Sequence, residues 1–276
     1  MTINCKGNLV DLNEPKVMGI LNLTPDSFYD GGKYKNKDSV LVQTEKMLEE
    51  GATFIDLGAY SSRPGANHVP EDEEKKRILP ILELLLNRFP DTLFSIDTFR
   101  SSVAKECLDM GAALINDISA GNLDPKMFDV VARFQVPYIL MHLKGTPQSM
   151  QTKAVYDNII KDLLFYFSEK IQKAHKKKIN DIIIDPGFGF AKTLEQNYHM
   201  LHHLDMFQNL KKPILIGLSR KSMIYKTLKS SAKEALNGSS VLHSIALLKG
   251  ANILRVHDVK EAQECITLIE TLKANA

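Results

Sequence analysis

Short apolar runs, each closed by a polar residue or a glycine, recur along the chain and alternate with longer amphipathic stretches. The clearest is Ile182-Ile183-Ile184, which has no helical period and stops at Asp185 before Pro186, Gly187 and Gly189. That form suits a short strand covered on both faces. It recurs in Val17–Leu21 before Asn22, Phe54–Leu57 before Gly58, and Leu93–Ile96 before Asp97. Ala113–Ile115 precedes Asn116-Asp117, and Pro137–Met141 precedes His142. Pro213–Leu218 precedes Ser219, and Asn252–Leu254 precedes Arg255.

Helical patterns lie between these runs. Asp38–Glu50 places Leu41, Met47 and Leu48 on one face and stops at Gly51, a residue suited to a left-handed C-terminal cap. Asp72–Arg88 carries Ile78, Ile81, Leu82, Leu85 and Leu86, with Pro80 expected to kink it or to lie in its first turns. Ser101–Met110 ends at Gly111, and Asp124–Phe134 opens on an Asp-Pro pair that suits a cap and first turn. Val155–Lys178, Leu194–Leu210, Asn237–Lys249 (with Asn237 as cap) and Val259–Lys273 complete the set.

Each connection is long enough for the crossover that parallel strands require. The simplest closed arrangement is an α/β fold, a TIM (β/α)8 barrel with its active site at the C-terminal face of the strands. An open doubly wound sheet is the rival, but no Gly-x-Gly-x-x-Gly follows the first strand. No low-complexity linker divides the chain, so residues 1–276 are expected to form a single domain.

Composition narrows the partners. A net charge of +2 leaves no basic footprint for nucleic acid. No apolar run reaches the ~20 residues that cross a bilayer, and the first residues carry no signal-like core. Cys5, Cys107 and Cys265 are widely spaced without a CxxC, which argues against disulfides and zinc and fits a cytoplasmic location.

The barrel rule turns strand exits into candidate site residues: Asn22, Asp97, Asn116, Asp185, Ser219, Lys221, Arg255 and His257. Asp97, Asn116 and Asp185 offer acceptors to a flat heterocycle with several N–H donors, and Lys221 can donate to a ring carbonyl or ring nitrogen. Asn22, Arg63, Arg255 and His257 suit a phosphate or pyrophosphate. First and eighth strands are neighbours in a closed barrel, so Asn22 can meet Arg255 and His257, and its side-chain oxygen could ligate the Mg²⁺ that usually accompanies pyrophosphate. Segments 24–33 and 61–66, rich in Gly, Pro and Ser, have the composition of loops that close over a ligand. Each residue also has a plainer reading. Strand-end Asp and Asn cap helices, Asp56 and Asp117 read as structural, and His142 and His243 read as a satisfied loop histidine and a packing histidine.

Taken in order, the motifs resemble those of the dihydropteroate synthase family. They are Met18-Gly-Ile-Leu-Asn22-Leu-Thr-Pro-Asp26-Ser-Phe28, Asp56-Leu-Gly-Ala-Tyr-Ser-Ser62-Arg63-Pro64-Gly65-Ala66, and Ser95-Ile-Asp97-Thr98. Ile115-Asn116-Asp117-Ile-Ser-Ala-Gly121, Met141-His142-Leu-Lys-Gly-Thr-Pro-Gln148 and Asp185-Pro-Gly-Phe-Gly-Phe190 follow. Gly217-Leu-Ser-Arg-Lys221-Ser222 and Arg255-Val-His257-Asp258-Val259 close the series. Ser62 stands where many members have Thr, and Ala191 where a Gly is common; neither change removes a functional group.

The resemblance implies a transferase of folate biosynthesis, on a TIM barrel, that condenses (7,8-dihydropterin-6-yl)methyl diphosphate with 4-aminobenzoate. Diphosphate leaves and 7,8-dihydropteroate forms. By position, Asp97, Asn116, Asp185 and Lys221 would hold the pterin, and Asn22 would ligate Mg²⁺. Ser62, Arg63, Arg255 and His257 would serve the diphosphate. Phe28, Ser62, Pro64, Phe190, Lys221 and Ser222 would shape the aminobenzoate pocket, where sulfonamides compete. Asp97, Lys221, Arg255 and His257 would be the catalytic set, and a homodimer is the family's common state. Three alternatives stay open. One is a pterin-binding barrel that carries methyltetrahydrofolate's methyl group. The others are an aldolase using Lys221 and a non-catalytic pterin-binding paralogue.

Overall fold

The structure, a computed structural model, describes residues 1–23, 33–61 and 68–275. Phe28, Ser62, Arg63 and Pro64, and most of the two segments that hold them, lie outside the described residues. The strands are β1 (Thr2–Cys5), β2 (Asn8–Asp11), β3 (Lys16–Asn22), β4 (Phe54–Gly58), β5 (Leu93–Asp97), β6 (Leu114–Asp117), β7 (Tyr138–Met141), β8 (Ile182–Asp185), β9 (Leu215–Ile216) and β10 (Ile253–Val256). The helices are α1 (Lys33–Glu49), α2 (Glu71–Arg88), α3 (Ser101–Met110), α4 (Met127–Phe134), α5 (Ile159–Lys176), α6 (Leu194–His202), α7 (Ser222–Thr227), α8 (Leu236–Leu248) and α9 (Val259–Ala274).

β3 to β10 form one parallel sheet in the order β8-β7-β6-β5-β4-β3-β10-β9. An Ile184–Ile214 bridge joins its two ends, with the Ile184 amide donating to the Pro213 carbonyl at 2.9 Å. The barrel read from the alternation is therefore closed. The seventh strand is much shorter than the apolar run Pro213–Leu218, because Pro213 has no amide to donate and Gly217 leaves the ladder.

Several local readings change. The pair β1 and β2, joined through Lys6 and Gly7 at positive φ, was not among the strands read from the sequence. It places Ile3, Cys5 and Leu12 under the barrel, packed on Met18, Phe54, Leu114, Ile139, Ile183, Leu215 and Ile253. Its signal was the alternation on either side of Lys6-Gly7. Secondly, α8 begins at Leu236 after Ala235, so Asn237 lies inside the helix and caps nothing. Thirdly, the stretch Leu194–Leu210 is α6 followed by a 3₁₀ segment, Leu204–Leu210. Pro80 stands in the middle of the continuous α2 rather than in its first turns.

Candidate active site

Side chains alternate in and out along a strand, so every second residue faces the barrel axis. The apolar floor is Met18, Phe54, Leu93, Leu114, Ile139, Ile183, Leu215 and Ile253. Two residues further along each strand lie Ile20, Asp56, Ser95, Asn116, Met141, Asp185, Gly217 and Arg255. The next step reaches Asn22, Gly58, Asp97, Ser219 and His257 at the mouth. The register matches the mouth tier where Asn22 pairs with Gly58 and Gly58 with Asp97, and it steps by two at the next strand, where Asp97 pairs with Asn116. An apolar plug below a polar tier is thus a consequence of period two.

Arg255 organises one side of that tier. Its Nε donates to Asp56 Oδ2 at 2.6 Å and its Nη2 to Asp97 Oδ2 at 2.7 Å. Asn116 Nδ2 donates to the same Asp56 oxygen at 2.9 Å, and Asp56 Oδ1 has no protein partner among the described residues. Burial pushes the Asp97 carboxyl up to about 7; Arg255 opposes that and the Asp56 charge adds to it. Burial also opposes the charge of Arg255, but Asp56 and Asp97 outweigh it and hold the guanidinium firmly protonated. Asp56, which read as structural because it lies inside a strand, therefore belongs to the site. Asp117 on the opposite face is structural as expected: it accepts from Tyr138, Ser119 and Gly121.

The other side is built by β8 and the start of α7. Gly187 N donates to Asp185 Oδ1 at 2.8 Å. Burial raises the Asp185 pKa, with Lys221 the chief opposing charge. Lys221 is the residue before α7; its Nζ donates to the Phe188 carbonyl at 2.5 Å and lies 4.7 Å from the Phe190 ring centroid. Burial brings its pKa down to about 8, against the pull of Asp185. Gly189, at φ +80, makes the approach possible, since a Cβ there would sit 3.3 Å from Lys221 Cδ. Ser222 is the first residue of α7, beside this lysine.

At the β9 and β10 exits, Ser219 Oγ and His257 Nδ1 are 3.0 Å apart. Arg220 points away and grips Asp258 with two bonds of 2.8 Å, which leaves Lys221 facing inward. Beyond Asp97, Thr98 Oγ1 donates to the buried Glu74 at 2.6 Å, and Arg100 Nη2 donates to the Val69 carbonyl at 2.6 Å. That ties the β5 exit to the chain next to segment 62–67. Sequence reading missed this pair because α2 and the β5 exit are distant in the chain. An open groove of about 1230 Å³ lies between α5 and α6, but it contains none of the strand-exit residues.

The arrangement can hold a planar, donor-rich ring between two carboxylates and an amide, with a lysine at one edge and an arginine and a histidine toward an anion. The family described as "Pterin binding enzyme" matches residues 18–257 of this chain. The chain is 40% identical over 277 aligned residues to the dihydropteroate synthase of Escherichia coli K12, covering 99% of this chain and 98% of that protein. It superposes on the Yersinia pestis dihydropteroate synthase in complex with a sulfonamide drug with a TM-score of 0.93, at 41% identity, covering 99% of this chain and 100% of that one. A Xanthomonas albilineans dihydropteroate synthase with 4-aminobenzoic acid gives a TM-score of 0.92 at 36% identity, covering 99% of this chain and 98% of that one.

Proposed function

Because the chain belongs to the pterin-binding enzyme family, as one of its dihydropteroate synthases, we propose that its barrel mouth transfers a dihydropterin methyl group from diphosphate to 4-aminobenzoate in the following way. The pterin lies over the polar tier, its donor edge on Asp185 and Asn116, with Lys221 donating to the ring. Arg255 and His257 take the diphosphate. Ser62 and Arg63 share that task and Phe28 and Pro64 line the arylamine side, by family position alone. Phe190 and Ser222, flanking Lys221, complete the aminobenzoate pocket.

The bond that breaks joins the methylene carbon to a diphosphate oxygen, and its electron pair leaves with the diphosphate. Arg255 and His257 offset the charge that grows there. The pterin ring delocalises the positive charge left on the carbon, and Asp97 stabilises it. The arylamine nitrogen then gives its lone pair to that carbon, and its surplus proton passes to water or diphosphate. No strong base is needed, since an aniline amine is neutral at pH 7. Positioning and exclusion of water supply the rest.

Asn22 is the protein oxygen we assign to Mg²⁺. Its Oδ1 lies at the mouth beside Gly58 and Asp97. Among the described residues no group of His, Cys, Asp and Glu could hold an ion unaided. The donor set therefore fits an ion that arrives with the diphosphate and keeps most of its ligands from it. Such an ion would supply charge neutralisation on the leaving group.

We further assign a single domain, a homodimer and a cytoplasmic location. Val241, Leu248, Leu268 and Leu272 are exposed on α8 and α9, an apolar face suited to a second copy. The three cysteines are free and buried, and no described helix is long and apolar enough to cross a membrane.

The observation that carries the mechanism is the meeting of Asp97, Asn116, Asp185, Lys221 and Arg255 in one polar cluster above an apolar floor. Its test is diphosphate release from the pterin diphosphate with Mg²⁺, with and without 4-aminobenzoate. Release that depends on the arylamine, with dihydropteroate formed in step, is expected. Tight pterin binding without turnover would leave only a binding protein.

A further inference from the structure

Lys192 is a buried cation that the mechanism above does not use. It is 4% exposed, and its Nζ has three partners: the Gly187 carbonyl at 3.0 Å, the Phe190 carbonyl at 3.0 Å and His142 Nδ1 at 3.1 Å. An ammonium has three donors, so its capacity is filled. The two carbonyls bracket the glycine turn between Asp185 and Phe190. Gly187 also gives its amide to Asp185, and the Phe190 ring lies against Lys221.

That turn does not hold its shape by propensity alone. Gly187, Gly189 and Ala191 all have positive φ, at +73, +80 and +49. Ala191 is not a glycine, so its left-handed backbone costs about 1 kcal/mol or more. Gly187 also presses on the β7 exit: a Cβ there would come within 2.3 Å of the His142 carbonyl oxygen. Neutral groups tie neighbouring points, Asn197 at the Gly189 amide (2.7 Å) and Tyr156 at the Ala191 carbonyl (2.9 Å). A structural tie therefore needs no charge, and burying one is costly. A charge at this point is explained by what it faces. Burial raises the Asp185 pKa, and Lys221, Arg255 and Lys192 oppose that; burial likewise brings the Lys192 pKa down to about 7, and Asp185 is the chief group favouring its charge. Lys221 and Lys144 are the cations that oppose it. The His142 ring is the remaining partner. Burial first, then Lys192 and Lys144, keep that ring neutral, so Nδ1 is free to accept. Tyr166 meets the ring edge-on at 4.8 Å.

We propose that Lys192 is a positioning residue that couples the two substrate subsites, fixing Asp185 for the pterin and Phe190 for the arylamine through one turn. The proposal rests on the functional reading above and deepens it. Lys192 touches neither substrate; it acts through Gly187 and Phe190.

The test compares Lys192→Met, which keeps length but removes donors and charge, with Lys192→Gln, which keeps donors without charge. The KM of both substrates should rise about tenfold in Lys192→Met, the worth of one charge-assisted hydrogen bond, with kcat changed less than about threefold. Lys192→Gln should recover part of the KM loss. In both variants the acid limb of kcat/KM for the pterin diphosphate should move to higher pH, because Asp185 has lost a cation. A lower melting temperature with unchanged KM values and an unmoved acid limb would overturn the proposal, as would a loss confined to kcat. If Lys192→Met does not fold, Lys192→Gln decides: unmoved KM values and acid limb refute it. Wild-type turnover, measured alongside, separates this failure from failure of the functional reading.

Discussion

Replacing Arg255 with Met removes the cation that bridges Asp56 and Asp97 while keeping most of the volume. Asp56 is fully buried, and Arg255 and Asp97 side chains are 18% and 15% exposed, so solvent screens these pairs little. Breaking a buried pair by deleting one partner costs roughly 3–5 kcal/mol. The magnitude has a pH dependence that follows from Asp97, whose carboxyl titrates at about 7 with Arg255 in place. Between its ordinary value and about 7 the folded protein binds the extra proton, so stability falls as pH rises through that window and levels off above it. Without Arg255 the Asp97 pKa climbs further and the fall continues. At pH 5.5 Asp97 is protonated in both proteins, and the deficit reflects chiefly the pair with Asp56. About 1.5 pH units above the midpoint, ionised Asp97 in the wild type gains up to ~2 kcal/mol that the variant lacks, at 1.36 kcal/mol per unit. For a chain of this length that widens the difference in melting temperature by roughly 4 °C. Thermal unfolding of both proteins at pH 5.5 and pH 8.5 measures it. An equal difference at the two values would refute the coupling of Asp97 to Arg255.

Asp97→Ala should lower kcat by about 10²–10³, the scale of one electrostatic stabiliser, while pterin affinity changes far less; an unchanged turnover number would remove Asp97 from the catalytic set. Gly187→Ala meets both a left-handed φ of +73 and a 2.3 Å approach to the His142 carbonyl oxygen. It should be poorly soluble or melt well below the wild type, and wild-type stability in a melting scan would contradict the described turn. Ile3→Ala should lose about 2–5 kcal/mol through a cavity under the barrel floor, with both KM values unchanged. A change in KM there would mean that the floor communicates with the mouth.

Much of this molecule is legible along the chain. The barrel follows from alternation of strand and helix, and the exits Asn22, Asp97, Asn116, Asp185, Lys221, Arg255 and His257 follow from where apolar runs stop. These are local signals: periodicity and punctuation depend on neighbours within a few residues. Two failures of reading were also local. The Lys6-Gly7 hairpin carried its turn residues in plain view, and Asn237 has a capping residue's chemistry without its position.

What the tertiary structure alone decided are the long-range pairings. Asp56 reads as structural inside its strand until Arg255 and Asn116, 199 and 60 residues away in sequence, close on one of its oxygens. Nothing local marks Lys192; its role emerges only when the barrel sets His142, 50 residues earlier, under the same glycine turn. The extent of β9 depended on where Pro213 met Ile184 across the closing seam. Strand spacing tells which residues face the axis; it does not tell which charges meet there. That is settled by barrel closure and shear, because only then are distant strands brought within hydrogen-bond reach and out of water, where a pairing has the energy to shift a carboxyl or an amine.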